Sequence, residues 1–217
     1  MSSATVGHHE EHASREAHSH ELSYAMQLKN NRLGLWLFFG SELFLFGALL
    51  TARFYLWGGT RPALSQVVGL VATSILLLSS FFVNRGETAV SYDDKKTFNM
   101  GFLMAALLGT IFLFSVIVLE WNIFGLEGSI GSVELFGHLK PTDGIFGGVF
   151  FIMTGMHALH VFTGIAFLLI AWNNGRRGLY STEEHWGVEA AALYWHYIDV
   201  IWVIFYPALY LIGTAVH

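Results

Sequence analysis

The sequence predicts an all-α integral membrane protein, a bundle of five transmembrane helices with the N-terminus cytoplasmic and the C-terminus outside. Three observations carry that prediction. The 217 residues are 54% hydrophobic and only 12% charged, and the mean hydropathy of +0.52 exceeds that of ordinary soluble domains. Five stretches reach the roughly 20 mainly apolar residues needed to cross a bilayer: 33–57, 64–83, 98–121, 144–172 and 188–213. Lys and Arg are distributed unevenly between the two sides. Arg15, Lys29, Arg32, Arg85, Lys95, Lys96, Arg176 and Arg177 fall on one side, and only Arg53, Arg61 and Lys140 on the other, which by the positive-inside rule places the N-terminus in the cytoplasm. The net charge of -5 adds little, because acidic residues hardly affect topology.

Taken in order, residues 1–30 are polar and hold His8, His9, His12, His18 and His20 without an apolar period that could bury a face. They read as a His-rich disordered cytoplasmic tail, ahead of a five-helix transmembrane domain over 31–217. They lack the apolar core of a signal peptide, so the first span is expected to serve as the targeting signal. That span carries Gly34, Gly40, Ser41, Gly47 and Ala48, and the fourth carries Gly144, Gly148, Thr154, Gly155, Ala158 and Gly164. Small residues let helices approach closely where packing drives association. The second span places Ser79 and Ser80 after an apolar run, with hydroxyls that can bond back to their own helix or across to a neighbour. The third ends in Glu120-Trp121. These two residues, with Trp195 and Trp202 of the fifth span, are expected as interface anchors. The connection 122–143 is Gly-rich and is expected to cap the bundle.

Ionisable groups inside spans are the candidates for function, since each costs roughly 2.5 to 3.5 kcal/mol on insertion scales and survives only against other helices, water or a partner. Glu42 sits among aromatic and aliphatic residues of the first span. It reads as a proton carrier, an ion ligand, a lipid or partner contact, or a carboxyl bonded to a neighbouring helix. His157 and His160 are three apart and share a helix face. With His196 they allow a haem or metal site to be drawn, although histidines bonded to carbonyls or carboxylates account for them as well. On the fifth span Glu189, His196, Asp199 and Tyr206 fall within an arc of about 100°, with Trp195 and Trp202 outside it, so that helix carries one polar seam. The chain has no cysteine, which removes disulfides, thiolate metal sites and Cys-linked haem. No phosphate-binding loop, nucleophile elbow or dinucleotide fingerprint occurs in a credible context, and nothing points to nucleic acid.

Together these segments resemble subunit III of the haem-copper respiratory oxidases, the cytochrome c oxidase type, in its five-helix prokaryotic form. His185, Gly187, Glu189, Ala190, Ala191, Tyr194, Trp195, His196, Asp199 and Trp202 fit the family's last helix, His-x-Gly-x-Glu-Ala-Ala-x-x-Tyr-Trp-His-x-x-Asp-x-x-Trp. Thr154-Gly155, His157, His160-Val161 and Gly164 resemble the preceding helix, and Ser41-Glu42 resembles the family's buried Ser-Glu pair. The resemblance covers Arg32 to Tyr210. Many members have seven helices, and this chain looks like the version without the first two. A Gln that often precedes the Glu-aromatic pair is replaced by apolar Val116 and Ile117.

The resemblance implies a non-catalytic accessory subunit of a proton-pumping terminal oxidase that reduces oxygen to water in aerobic respiration, in a prokaryotic cytoplasmic membrane. It implies no catalytic, cofactor or metal residue in this chain, with haems and copper in partner subunits I and II. The subunit's implied work is to dock on subunit I, hold phospholipid, protect the catalytic subunit from inactivation and support proton uptake. Cytochrome c or quinol would be reached only through the complex. Glu42, His157, His160, Glu189, His196 and Asp199 are then buried polar groups at lipid or subunit contacts. Alternatives are a subunit III-like partner of a quinol oxidase or nitric oxide reductase, a stand-alone membrane cytochrome, and a proton transporter. Transporters commonly show internal repeats, and none is visible here.

The absence of cysteine makes the topology directly measurable. Single-cysteine chains Ser23→Cys and His217→Cys are expected to react with an impermeant maleimide from opposite sides of sealed membranes; labelling from the same side would remove the odd span count.

Overall fold

The computed structural model describes residues 4–130 and 133–216, with side chains from Tyr24 onward. Backbone N–H and C=O groups find no water in hydrocarbon and must be bonded within their own segment, so the apolar stretches fold as helices. These are α1 (Ala4–Trp57), α2 (Gln66–Ser91), α3 (Lys95–Ser115), α4 (Gly144–Arg176) and α5 (Trp186–Tyr206). Among the described residues five helices are long and apolar enough to cross a membrane, one over each predicted span.

α1 is helical from Ala4, where the sequence suggests a disordered tail. The segment has no proline and continues a spanning helix, which supplies the nucleus that an isolated polar peptide lacks. The side chains of His8, His9, His12, His18 and His20 lie outside the described residues. The chain divides into two compact units, Met1–Leu43 and Phe44–His217.

In the larger unit α2 packs on α3 and α5, and α4 packs on the same two helices, giving a four-helix ring of antiparallel neighbours. Where α2 meets α3 the backbones nearly touch. A Cβ on Gly101 would lie 2.7 Å from the Phe82 carbonyl oxygen and 2.9 Å from the Gly86 Cα. The turn between these helices puts Asp93 in the left-handed region at φ 53°, and Asp94 then caps α3 by accepting the Thr97 N–H at 3.0 Å. Hydrogen bonds from Thr97 hold the Asp94 carboxyl below the usual carboxylate range, as they do for any carboxylate accepting backbone donors at a helix N-terminus.

At the opposite end of the ring α3 and α5 each finish in a π-helical turn, Val116–Glu120 and Pro207–Leu211. Pro207 has no N–H to give to the α-helical ladder, which accounts for the change of pitch at that point. Short strands close this end. β1 (Thr60–Pro62) pairs in parallel with β4 (Thr214–Val216), and β2 (Ser129–Ile130) pairs antiparallel with β3 (Val133–Glu134). Asn122, at φ 45°, pins the long connection. Its Nδ2 donates to the carbonyls of Leu126 at 2.9 Å and Gly137 at 3.1 Å, and its Oδ1 accepts the Leu126 N–H at 2.7 Å. Gly137 in turn donates its N–H to the Leu119 carbonyl at 2.7 Å. The connection thus lies over the end of α3, as a cap should.

The close approach at Gly101 gives a specific expectation. Gly101→Ala should lower stability by about 1 to 3 kcal/mol, as overpacking does, because the obstructing atoms are backbone. Gly148, where a Cβ would meet nothing within 4 Å, should accept alanine with no loss. Thermal midpoints of the two variants in the same detergent compare them directly.

Candidate functional site

The centre of the ring is built by two tryptophans of α5. Trp195 is 1% exposed and Trp202 0%. Trp195 donates its indole N–H to the Ser79 hydroxyl on α2 at 3.0 Å. Its ring fills space kept open by Gly109 of α3 and Gly164 of α4, where an added Cβ would approach it to 2.4 and 2.9 Å. Trp202 donates to the Thr73 hydroxyl on α2 at 3.0 Å. It also stacks on His157 of α4, with ring centroids 4.7 Å apart, and meets Phe112 of α3 edge-on at 5.0 Å. Each indole therefore touches all three other helices of the ring. Both are expected from the sequence as interface anchors; the structure buries both inside the ring, whereas the anchoring tendency belongs to tryptophans at helix ends.

The accepting hydroxyls are engaged twice. Ser79 donates to the Leu76 carbonyl at 2.6 Å, and Thr73 donates to the Gly69 carbonyl at 2.7 Å, while both accept the indoles. Farther along, the Tyr206 hydroxyl donates to the Gln66 carbonyl at 3.2 Å, and Gln66 Nε2 donates to the Tyr210 carbonyl at 3.1 Å. α5 is thus bonded to α2 along its length. On its other side the Thr163 and Tyr194 hydroxyls bond at 2.7 Å.

The polar seam of α5 divides among separate partners. Glu189 lies 3.6 Å from His185 Nε2. Asp199, 6% exposed, faces Ser80 of α2, although its Oδ1 completes no hydrogen bond. His196 is half-buried. On α4, His157 is 1% exposed with neither ring nitrogen bonded, enclosed by Trp202, Phe112 and Phe205. His160 bonds through Nδ1 to the Met156 carbonyl at 2.7 Å, and its ring meets Phe46 of α1 at 4.9 Å. Among the described residues no group of three or more His, Cys, Asp or Glu side chains is placed to hold a metal ion. Glu42 lies on α1 in the N-terminal unit and is half-buried.

Glu120, the third residue expected as an interface anchor, closes the π-helical turn at the end of its span. It is 6% exposed, inside the bundle under the long connection. Trp121 beside it is half-buried and donates its indole N–H to the Thr154 hydroxyl of α4 at 3.0 Å. Both face inward because the π-helical turn and the connection fold back over them.

Sequence reasoning missed Arg53, which it counted only as a topological charge. The guanidinium is 0% exposed. It donates to the carbonyls of Gly58 at 3.5 Å and Ile212, and lies 4.7 and 5.1 Å from the ring centroids of Phe54 and Trp57. Its contacts among the described residues are to carbonyls and ring faces and include no carboxylate. The signal was available: an arginine just before the last turn of a span, followed by aromatic residues one and four positions on, is placed for cation–π contact and for binding C-terminal carbonyls.

Comparison with known proteins places the sequence in a family. The sequence profile described as cytochrome c oxidase subunit III matches residues 9–214. The cytochrome c oxidase subunit 3 of Thermostichus vulcanus is 33% identical over 187 residues, covering 83% of this chain and 86% of that protein. The subunit 3 of a Synechocystis strain is 31% identical over 208 residues, covering 91% and 80%. That of Rattus norvegicus is 30% identical over 199 residues, covering 86% and 71%.

The bonds between α5 and α2 can be tested by removing acceptors. Ser79→Ala and Thr73→Ala each leave a buried indole N–H without a partner and should cost about 1 to 3 kcal/mol. Ser74→Ala should be neutral, because the Ser74 hydroxyl is exposed and bonds only to the Leu70 carbonyl of its own helix. Equal midpoints for all three in thermal unfolding would show that the indole bonds contribute nothing.

Proposed function

Because the chain belongs to the cytochrome c oxidase subunit III family, we propose that it is an accessory subunit of a haem-copper oxidase and has no catalytic centre of its own. The observation that carries this reading is the family match, which extends over residues 9–214. The multi-pass helical fold supports it, because the interior of the ring is filled by aromatic side chains and interhelical hydrogen bonds. In this reading the haems and copper that reduce oxygen reside in partner subunits I and II. This chain contributes packing surface, lipid contacts and protection of subunit I during turnover.

The outward faces suit that work. Phe44 and Tyr55 of α1 are 82% and 85% exposed, and Leu159 and Phe162 of α4 and Val200 of α5 are also uncovered. Apolar surface of this extent belongs against lipid tails or the helices of a partner. Glu42 is assigned to a lipid or subunit contact. The end of the ring carrying Asp94 is assigned to the cytoplasm, in a prokaryotic cytoplasmic membrane, on the distribution of Lys and Arg. At that end Glu87 of α2 is within electrostatic reach of Glu189 of α5 and of His185 just ahead of that helix. Such a group of titratable side chains at a membrane surface is suited to holding protons near an uptake path.

Purification of this chain from native membranes in mild detergent tests the proposal. A large multi-helix haem protein and a copper-binding subunit should copurify with it, and the reduced-minus-oxidised haem spectrum should disappear from this chain once they are stripped away. A chain that purifies alone and retains its own haem bands would overturn the assignment.

A further inference from the structure

Below the long connection, the two π-helical ends and the start of α2 border a partly open cavity of about 20 Å³ lined in part by Ser65, Val68, Leu119, Glu120, Gly137 and Tyr210. Three of those residues bring polar side chains. Both carboxyl oxygens of Glu120 and the hydroxyl of Tyr210 are buried and complete no hydrogen bond. The two side chains face one another within reach of a long hydrogen bond, but no bond of ordinary length and angle joins them. Glu120 is 6% exposed and Tyr210 1%. Ser65 stands at the N-cap of α2 but makes no side-chain capping bond there. The remaining lining is apolar side chains and a glycine, and no cation is paired with the carboxyl among the described residues.

Buried polar groups left without partners are costly, and proteins commonly satisfy them with an internal water that makes about three hydrogen bonds. A single water needs about 10 to 15 Å³ of such space, and this cavity of about 20 Å³ accommodates one. We propose that the cavity is a hydration site for one structural water held by Glu120, Tyr210 and Ser65. The water accepts the Tyr210 O–H, donates to a Glu120 carboxyl oxygen, and uses its remaining capacity on the Ser65 hydroxyl. It thereby ties α2, α3 and α5 together at the end where two of the three have left α-helical pitch. Gly137 is the lid. A Cβ there would lie 2.1 Å from the Glu120 carbonyl oxygen, so any larger residue would lift the connection off the site.

The three oxygen-bearing groups could in principle take a monovalent cation instead, and one experiment separates the two. Cryo-electron microscopy of the full-length chain, in the membrane assembly with which it purifies, is carried out in sodium and again in rubidium buffer. A compact peak within hydrogen-bonding distance of Glu120, Tyr210 and Ser65, of equal height in both salts, is the expected result. A peak that strengthens in rubidium would assign a cation and overturn the water. So would a map without a peak, in which Glu120 and Tyr210 bond directly. Glu120→Leu should abolish the peak, and if that variant does not assemble, the pair of wild-type maps decides alone.

Discussion

Helices in a bilayer gain nothing by hiding apolar surface from one another, since lipid tails are as apolar as leucine. Close packing and interhelical hydrogen bonds must hold them together. In this protein both are concentrated in Trp195 and Trp202. Their rings touch α2, α3 and α4 at two levels of the bundle, so the crossing of each helix pair is referred to the same two side chains. The glycines at 109 and 164 follow from this. They are the absence of side chain that an indole requires, and their value lies in what α5 inserts.

The two ends of the ring use different physics. At one, a conventional aspartate cap and a tight turn start α3. At the other, the chain leaves α-helical pitch twice, buries an arginine among carbonyls and ring faces, and encloses a glutamate. A buried guanidinium without a carboxylate among the described residues is tolerable there because the carbonyls at helix C-termini carry partial negative charge and the aromatic faces add to it. Arg53 joins the end of α1 to the stretch after α5, while β1 and β4 pair beside it. The start and finish of the larger unit are thus tied to each other.

Much of this was legible in the sequence. The five spans follow from length and hydropathy, because a bilayer imposes both, and the family follows from motifs dense enough to define a helix face. The hydroxyl of Ser79 does both things its position allowed. Three features escaped, each for its own reason. Trp195 and Trp202 were sorted by residue type, which favours the interface, but angular position alone cannot say which side of a seam faces the neighbours. Glu120 ends its span as expected, but its burial escaped because the π-helical turn and the returning connection are invisible to a helical wheel. Arg53 was used for its charge, which hid its geometry.

The double engagement of the α2 hydroxyls has a consequence for biogenesis. Ser79 and Thr73 each bond a carbonyl of their own helix, so α2 can enter the membrane with no polar side chain of this pair left wanting while α5 is still unsynthesised. Chains emerge N-terminus first, and the indoles are the last donors to arrive. A partly made bundle of α2, α3 and α4 is therefore a tolerable guest in lipid, with a slot between glycines held ready. Completion is registered by α5, whose two indole N–H groups have no acceptor on their own helix backbone and find one only by entering that slot.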